Sequence, residues 1–400
     1  MKAPGKDPGV VIVGGGLAGQ RCAETLRRRG YDGPVRILCA ENDPPYDRPP
    51  LSKAVLAGTA GEVTTAFRPA AWYEEHGVEL LLGARAEWLE PRAHQVLLAN
   101  GDALRYGKLL IASGGSPRRL PFLEGFENVH YLRTLADARR LRADLAPGVR
   151  LALVGAGFIG QEVAATALGL GAEVTIVEAM EVPLAPILGA ELGRWFADLH
   201  LEEGARLLTG ALIEGARGRR RVEELLLADG TKVECDVVVV GIGTAPATEW
   251  LRGSGLGERG VEVDPHGRTA LPDVFAAGDA SIPFDPRFRA HARTEHWDAA
   301  AWQGAAAAKA MLGDDAGTPP LPSFWSDQYG VRIQSVGHPH LADSVLVEGD
   351  PATRDFEAVL VREGVPVAGL AVGRPRAIPA LRKRIEAGHR AGREQEEVPA

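Results

Sequence analysis

Two stretches of this 400-residue chain place glycines where a bound phosphate would need them. Gly14-Gly15-Gly16-Leu17-Ala18-Gly19 follows the β-branched run Val10 to Val13 and leads into an Ala/Leu/Arg stretch of helical character that ends at Gly30. Strand, tight turn and helix in that order form a dinucleotide cradle. Gly14 permits the turn, Gly16 lets the backbone approach a pyrophosphate, Gly19 lets helix and strand pack closely, and the helix start offers free N–H groups to the phosphate charge. The next strand, Val35 to Ala40, ends in Glu41, 22 residues beyond Gly19. A carboxylate there can accept hydrogen bonds from ribose hydroxyls.

The same design returns mid-chain. Leu151 to Val154 enters Gly155-Ala156-Gly157-Phe158-Ile159-Gly160, a helix follows, and Val174 to Val177 ends in Glu178, 18 residues after Gly160. One glycine turn is a weak signal. Two complete copies, each with strand, glycines, helix and terminal acid, are a strong one. The second acid also speaks to cofactor choice, because Glu178 would repel a 2′-phosphate and Ala179-Met180-Glu181 offers it no Arg or Lys. NADH is therefore expected over NADPH.

These cradles need a scaffold, and the bulk numbers bound it. With 45% hydrophobic and 24% charged residues the chain can bury two or three cores, since domains run ~100–200 residues. The expected class is α/β, with two Rossmann-like domains. Met1 to Gly9 holds charges and prolines rather than a signal-peptide core, and no run of eighteen residues is free of charge and apolar. The expectation is a cytoplasmic protein with no membrane span. A formal charge of −8 argues against nucleic acid as a partner. Cys22, Cys39 and Cys235 are scattered, with neither CxxC nor metal-ligand spacing, so no metal is expected.

The chain resembles the FAD-dependent ferredoxin reductases of the glutathione-reductase-like superfamily, in particular the oxygenase-coupled, putidaredoxin-reductase-like group. Pro45 to Lys53, reading PYDRPPLSK, looks like that group's flavin-contacting loop. In such a loop Arg48 can neutralise pyrophosphate and Lys53 can set a cation beside flavin N5. Leu110 to Pro117 resembles the segment that closes the first FAD half, with Ala112 followed by Ser113-Gly114 where the family usually has Thr-Gly. Val237 to Gly243 resembles the return strand. Thr269 to Ala280 matches the second FAD motif, where Asp279 would accept from the ribityl chain and Gly278 would give the backbone room. Glu295-His296-Trp297 precedes an Ala-rich helix to about Leu312, whose N-terminus in the family points at the flavin pyrimidine edge. Pro322 to Tyr329, with Trp325, looks like the start of the family's smaller C-terminal α+β domain, carried on by strands Ser344–Glu348, Ala358–Arg362 and Val367–Val372. The tail after Gly388 is expected to fray.

What the resemblance implies is hydride transfer from NADH to FAD and then single electrons to an acidic [2Fe–2S] ferredoxin that feeds an oxygenase. Glu162 matches an acid near the nicotinamide and is expected to pair with Lys53. Trp297 and Trp325 would wall the flavin, and Arg287, Arg289 and Arg293 are candidates for docking the partner. Domain edges fall at 1–117 with 244–318 for FAD, 118–243 for NAD, and 319–400 for the interface domain. Pro186 departs from the family, which often has an arginine in that segment. The rivals are a thiol-dependent NADH oxidase, peroxidase or disulfide reductase, a rubredoxin reductase, and a flavoprotein like apoptosis-inducing factor. A thiol enzyme needs a cysteine near flavin N5, where Ser52 and Lys53 stand instead. The sequence leaves monomer and homodimer both open.

Overall fold

The computed structural model describes residues 8–60 and 65–396. The reading of the first residues for a leader falls largely on residues 1–7, outside the described residues, as do the last four positions of the tail. By their contacts the described residues divide into two units: 8–47, 65–116 and 244–320 in one, and 48–60, 117–243 and 321–396 in the other.

The first unit is built on a five-stranded parallel sheet ordered Val274–Ala276, Lys108–Ile111, Val10–Val13, Val35–Cys39, Val78–Leu82. Its middle strand, Val10–Val13, is apolar at every position because both faces are covered. Alternate side chains such as Val10, Ile12, Ile37 and Leu110 pack under the helices Leu17–Arg28 and Trp297–Met311. Val11, Val13, Leu109 and Ile111 point the other way, onto Leu89 and Val96 of a small antiparallel sheet. The two helices cross at very short range: a Cβ on Gly304 would lie 2.1 Å from the Ala18 carbonyl oxygen. The Ala-rich composition of the second helix has that cause.

The second unit repeats the plan with the parallel order Arg206–Leu208, Glu173–Val177, Arg150–Val154, Val237–Val240, Val129–His130. The loop at 48–60 belongs to this unit. Leu56 packs with Leu141, Leu151 and Val163, and the Thr166 hydroxyl donates to the Ser52 carbonyl at 2.7 Å.

A five-stranded antiparallel sheet completes the unit in the order Ser323–Gln328, Val331–Gly337, Val365–Val372, Asp355–Arg362, Ser344–Asp350. One face carries Val336, Val359 and Ala371 under Leu381 and Ile385 of the last helix. The other, with Ile333, Phe356, Leu360 and Leu370, shares a core with Leu184, Leu188, Leu192 and Phe196. That last helix, Ile378–Glu396, continues through Gly388, so residues 389–396 are helical where the sequence suggested a frayed tail. The α/β class, with two Rossmann-like sheets and an α+β module, is as the motifs implied.

Candidate active site

In the first unit the glycines of the N-terminal turn divide by role. Gly14 has φ +121°, and a Cβ on it would sit 2.0 Å from the Ala112 carbonyl oxygen. One on Gly19 would meet the Gly14 carbonyl at 2.2 Å. Gly16 faces open space, with no atom within 4 Å of the same position. It N-caps the helix Leu17–Arg28 without a side-chain hydrogen bond. The turn is tight where the chain packs on itself and open where a pyrophosphate would lie, which fits a dinucleotide. Glu41 follows the second strand and accepts the Tyr46 hydroxyl at 2.6 Å.

Gly278 has φ +74° and donates its N–H to Gln303 Oε1 at 2.7 Å, which also meets the Ser281 hydroxyl at 3.1 Å. Asp279 follows at the sheet end. Gln303 escaped the sequence reading; a lone glutamine on an alanine face, six residues into the helix, was the available signal. The Ser113 hydroxyl is turned inward to the Ala247 carbonyl at 2.7 Å, and Gly114 accepts the Ala247 N–H, so this pair ties the return segment down. His296 N-caps the helix Trp297–Met311, and the Trp297 indole donates to Asp47 Oδ1 at 2.7 Å.

The expected arginine patch is largely self-neutralised. Arg287 closes on Asp285 at 2.7 Å with both side chains mostly buried, and Arg293 closes on Glu295 at 2.5 Å. Glu295 also accepts the Thr244 hydroxyl at 2.8 Å, so it serves the local fold. Of the three arginines Arg289 is the exposed one. Each of the other two has its acid two positions away in the chain.

In the second unit Gly155 has φ +92°, and a Cβ there would meet the Gly241 carbonyl at 2.6 Å. Gly160 is held as tightly against the Gly155 carbonyl, whereas the nearest atom to such a Cβ on Gly157 is 3.8 Å away. Ile159 is exposed at the helix start. Phe158 is engaged in packing instead, 5.7 Å from the Phe196 ring and 4.7 Å from Phe324. Glu178 is buried, and its carboxylate accepts the Ala156 N–H at 2.6 Å and the Met180 N–H at 2.9 Å. That double clamp holds the acid beside the glycine turn. Gly243, at φ +93°, accepts from the Arg118 N–H. Pro186 takes an early position in the helical turn Ala185–Leu188, entered through Leu184 at φ +58°. Proline suits that place, so the departure is accommodated by the fold.

Glu162 is the centre of a buried polar cluster. Its Oε2 accepts Lys53 Nζ at 2.7 Å and the Ser52 hydroxyl at 2.5 Å, and its Oε1 accepts the Ser326 hydroxyl at 2.8 Å. The expected Lys53–Glu162 pair is thus present. Arg48 of the same loop donates to the Arg133 carbonyl at 2.5 Å. Trp325 carries the Arg332 guanidinium over its ring at 5.4 Å. All three cysteines are buried, and burial raises each thiol pKa, Cys235 to about 11 and Cys39, beside Glu41, to about 12. None is poised as a thiolate nucleophile. Among the described residues no cluster of His, Cys, Asp and Glu could hold a metal, and no helix is long and apolar enough to cross a membrane.

A family model described as pyridine nucleotide-disulphide oxidoreductase matches residues 8–304, and a second, reductase C-terminal, matches 323–397. The chain belongs to the pyridine nucleotide-disulphide oxidoreductase family. Among relatives in that family, the ferredoxin–NAD(+) reductase component of the anthranilate 1,2-dioxygenase system of Burkholderia cepacia is 40% identical, with 94% of each chain covered. The 5,5′-dehydrodivanillate O-demethylase ferredoxin reductase subunit of a Sphingobium species is 39% identical, over 96% of this chain and 95% of the relative. The reductase in a crystal structure of the covalent putidaredoxin reductase–putidaredoxin complex superposes with a TM-score of 0.91, at 33% identity, covering 94% of this chain and 92% of that one. As a member of this oxidoreductase family, the chain is an enzyme.

Proposed function

We propose that this protein is an NADH-dependent ferredoxin reductase that feeds electrons through FAD to a [2Fe–2S] ferredoxin serving an oxygenase. The observation that carries the reading is the Lys53–Glu162 pair, its acid buried and its cation half-buried, in a chain whose cysteines all lie elsewhere with raised pKa values. A thiol-dependent oxidase or disulfide reductase would need a thiolate in the active site. The relatives, named as ferredoxin reductase components of oxygenase systems, support the same partner class.

FAD is assigned to 1–117 with 244–318, and NADH to 118–243, with 319–400 as the interface domain. Gly14, Gly16, Leu17, Ala18 and Gly19 would hold the FAD pyrophosphate, with Arg48 as a counter-charge. Glu41 would bind its ribose and Gly278-Asp279 its ribityl chain. Gly155, Gly157, Ile159 and Gly160 would hold the NADH pyrophosphate, and Glu178 its ribose. When bound, FAD accepts a hydride and gives electrons up one at a time. The chain's own part is placement. Lys53, held by Glu162, sets one positive charge, and the free amides starting the helix at Trp297 offer a positive dipole end. A cytoplasmic setting fits an enzyme that draws on NADH.

Anaerobic stopped-flow of the purified yellow protein is the test. Fast bleaching by NADH, slow bleaching by NADPH and reoxidation by a [2Fe–2S] ferredoxin are expected. Bleaching without ferredoxin reduction would overturn the partner.

A further inference from the structure

Gln161 and Glu162 are neighbours on the helix Phe158–Gly169, and both are buried. Buried polar side chains need partners, and each of these two has one on the same strand of the C-terminal sheet, Ser323–Gln328. Ser326 and Gln328 stand two positions apart, so they share a face of that strand, and both are fully buried. Ser326 donates to Glu162 at 2.8 Å. The Gln328 amide nitrogen lies 3.0 Å from Ser326 Oγ and 3.4 Å from Gln161 Oε1, spending its two hydrogens on those acceptors. Gln161 in turn donates to the Ala156 carbonyl at 2.9 Å, in the glycine turn whose N–H Glu178 clamps.

The polarity of this chain is determined at each link. Ser326 has one hydrogen, and Glu162, already accepting from Ser52 and Lys53 on its other oxygen, receives it. Ser326 can give that hydrogen away because Gln328 donates to it. With the amide turned over, its oxygen would compete for the same hydrogen and would face Gln161 Oε1 as acceptor against acceptor. The order of donors therefore runs from Gln328 through Ser326 to Glu162, and the carboxylate so fixed sets where the Lys53 ammonium rests.

We propose that Ser326 and Gln328 are positioning residues for the hydride-transfer step, acting through Glu162 on Lys53, with Gln328 also steadying the NADH turn through Gln161. The inference rests on the function proposed above. Neither residue touches Lys53 by any hydrogen bond of this chain. Their effect is transmitted by the orientation of one carboxylate, and a hydrogen bond lost here is worth about three- to tenfold in an equilibrium or a rate.

The experiment uses the FAD-loaded full-length protein and the variants Ser326→Ala, Ser326→Cys and Gln328→Leu. Lys53 reactivity is read without any nicotinamide nucleotide, as the rate of acylation by an N-hydroxysuccinimide ester mapped to the Lys53 peptide by mass spectrometry. Stopped-flow then gives the limiting rate of flavin reduction and the NADH concentration for half-saturation. Ser326→Ala is expected to raise Lys53 acylation and lower the limiting rate, each about three- to tenfold, with half-saturation moving less than twofold. Gln328→Leu should add a rise in half-saturation. Should either fail to fold, Ser326→Cys, close in volume but a weak donor, carries the test with the same sign of change. Lys53 reactivity and limiting rate both within twofold of the unaltered protein in the folded variants would overturn the proposal. Failure of the unaltered protein to bleach with NADH would instead sink the function it rests on, leaving the acylation result to stand alone.

Discussion

The Trp297 indole N–H and the Asp47 carboxylate, 250 positions apart in the chain, meet at 2.7 Å. The bond fixes the first residue of the helix Trp297–Met311, whose free N–H groups form its positive end. A charge-assisted bond of this kind in a half-buried setting is worth about 1 to 3 kcal/mol.

Asp47→Ala is therefore expected to lower unfolding stability by about that amount and to move the flavin absorbance band, because the ring and helix start lose their tether. Asp47→Asn keeps an acceptor and should recover most of both. Denaturant unfolding followed by flavin fluorescence checks it. An Asp47→Ala protein with unchanged stability and spectrum would show the tether to be idle.

The glycines of the first turn should separate folding from binding. Gly14→Ala would force a side chain against the Ala112 carbonyl at a backbone angle that only glycine adopts readily, so the protein should be recovered unfolded or in poor yield. Gly16→Ala has room in the folded chain. It should fold, yet bind FAD at least tenfold more weakly, because the methyl occupies the approach of the phosphate. Circular dichroism and flavin titration read the two effects separately. Equal loss of fold in both variants would remove Gly16 from the binding site.

What the sequence disclosed was mostly local. A glycine turn needs about six residues and declares itself, because positive φ and close helix packing each select glycine within the motif. The Lys53–Glu162 pair came through family resemblance, since spacing alone does not bring two residues of separate segments together. The Arg287–Asp285 pair was legible in principle, since residues two apart on an extended segment share a face, but a reading that counted cations alone passed over it. The shared core of Leu184, Leu188 and Phe196 with Phe356 and Leu370 was illegible for a different reason. Each segment reads as amphipathic, and periodicity says that a face is buried without saying against what. Ser326 and Gln328 lay inside a recognised motif, but their work emerged only once the strand faced the helix carrying Gln161 and Glu162.

Glu178 sets the nucleotide preference in this reading, and its clamp predicts how the preference would be lost. Glu178→Ala removes a charged acceptor from the ribose site and frees the Ala156 and Met180 N–H groups. A lost bond to a charged group is worth about 1.5–3 kcal/mol, so kcat/KM for NADH should fall roughly 10- to 100-fold. NADPH, no longer facing a carboxylate, should lose far less or gain, and the two would converge. Steady-state rates with each nucleotide decide it, and an unchanged NADH to NADPH ratio would place the selectivity elsewhere.

Acid sensitivity should trace in part to His200. The imidazole is buried, its Nδ1 lies 2.6 Å from the Tyr329 hydroxyl, and burial pushes its pKa down to about 4 from 6.5. The folded value is the lower one, so as pH falls the unfolded chain takes up the proton first. Stability is then complete above about pH 6.5 and declines by up to about 1.4 kcal/mol per unit as pH falls toward about 4. Below that both states carry the proton and this loss stops. His130, lowered by burial against the pull of Asp144, adds in the same direction. Thermal midpoints should therefore drop between pH 7 and pH 5, and His200→Gln, which cannot take up a proton, should drop less. An equal drop in the variant would clear His200 and leave the acid sensitivity to other groups.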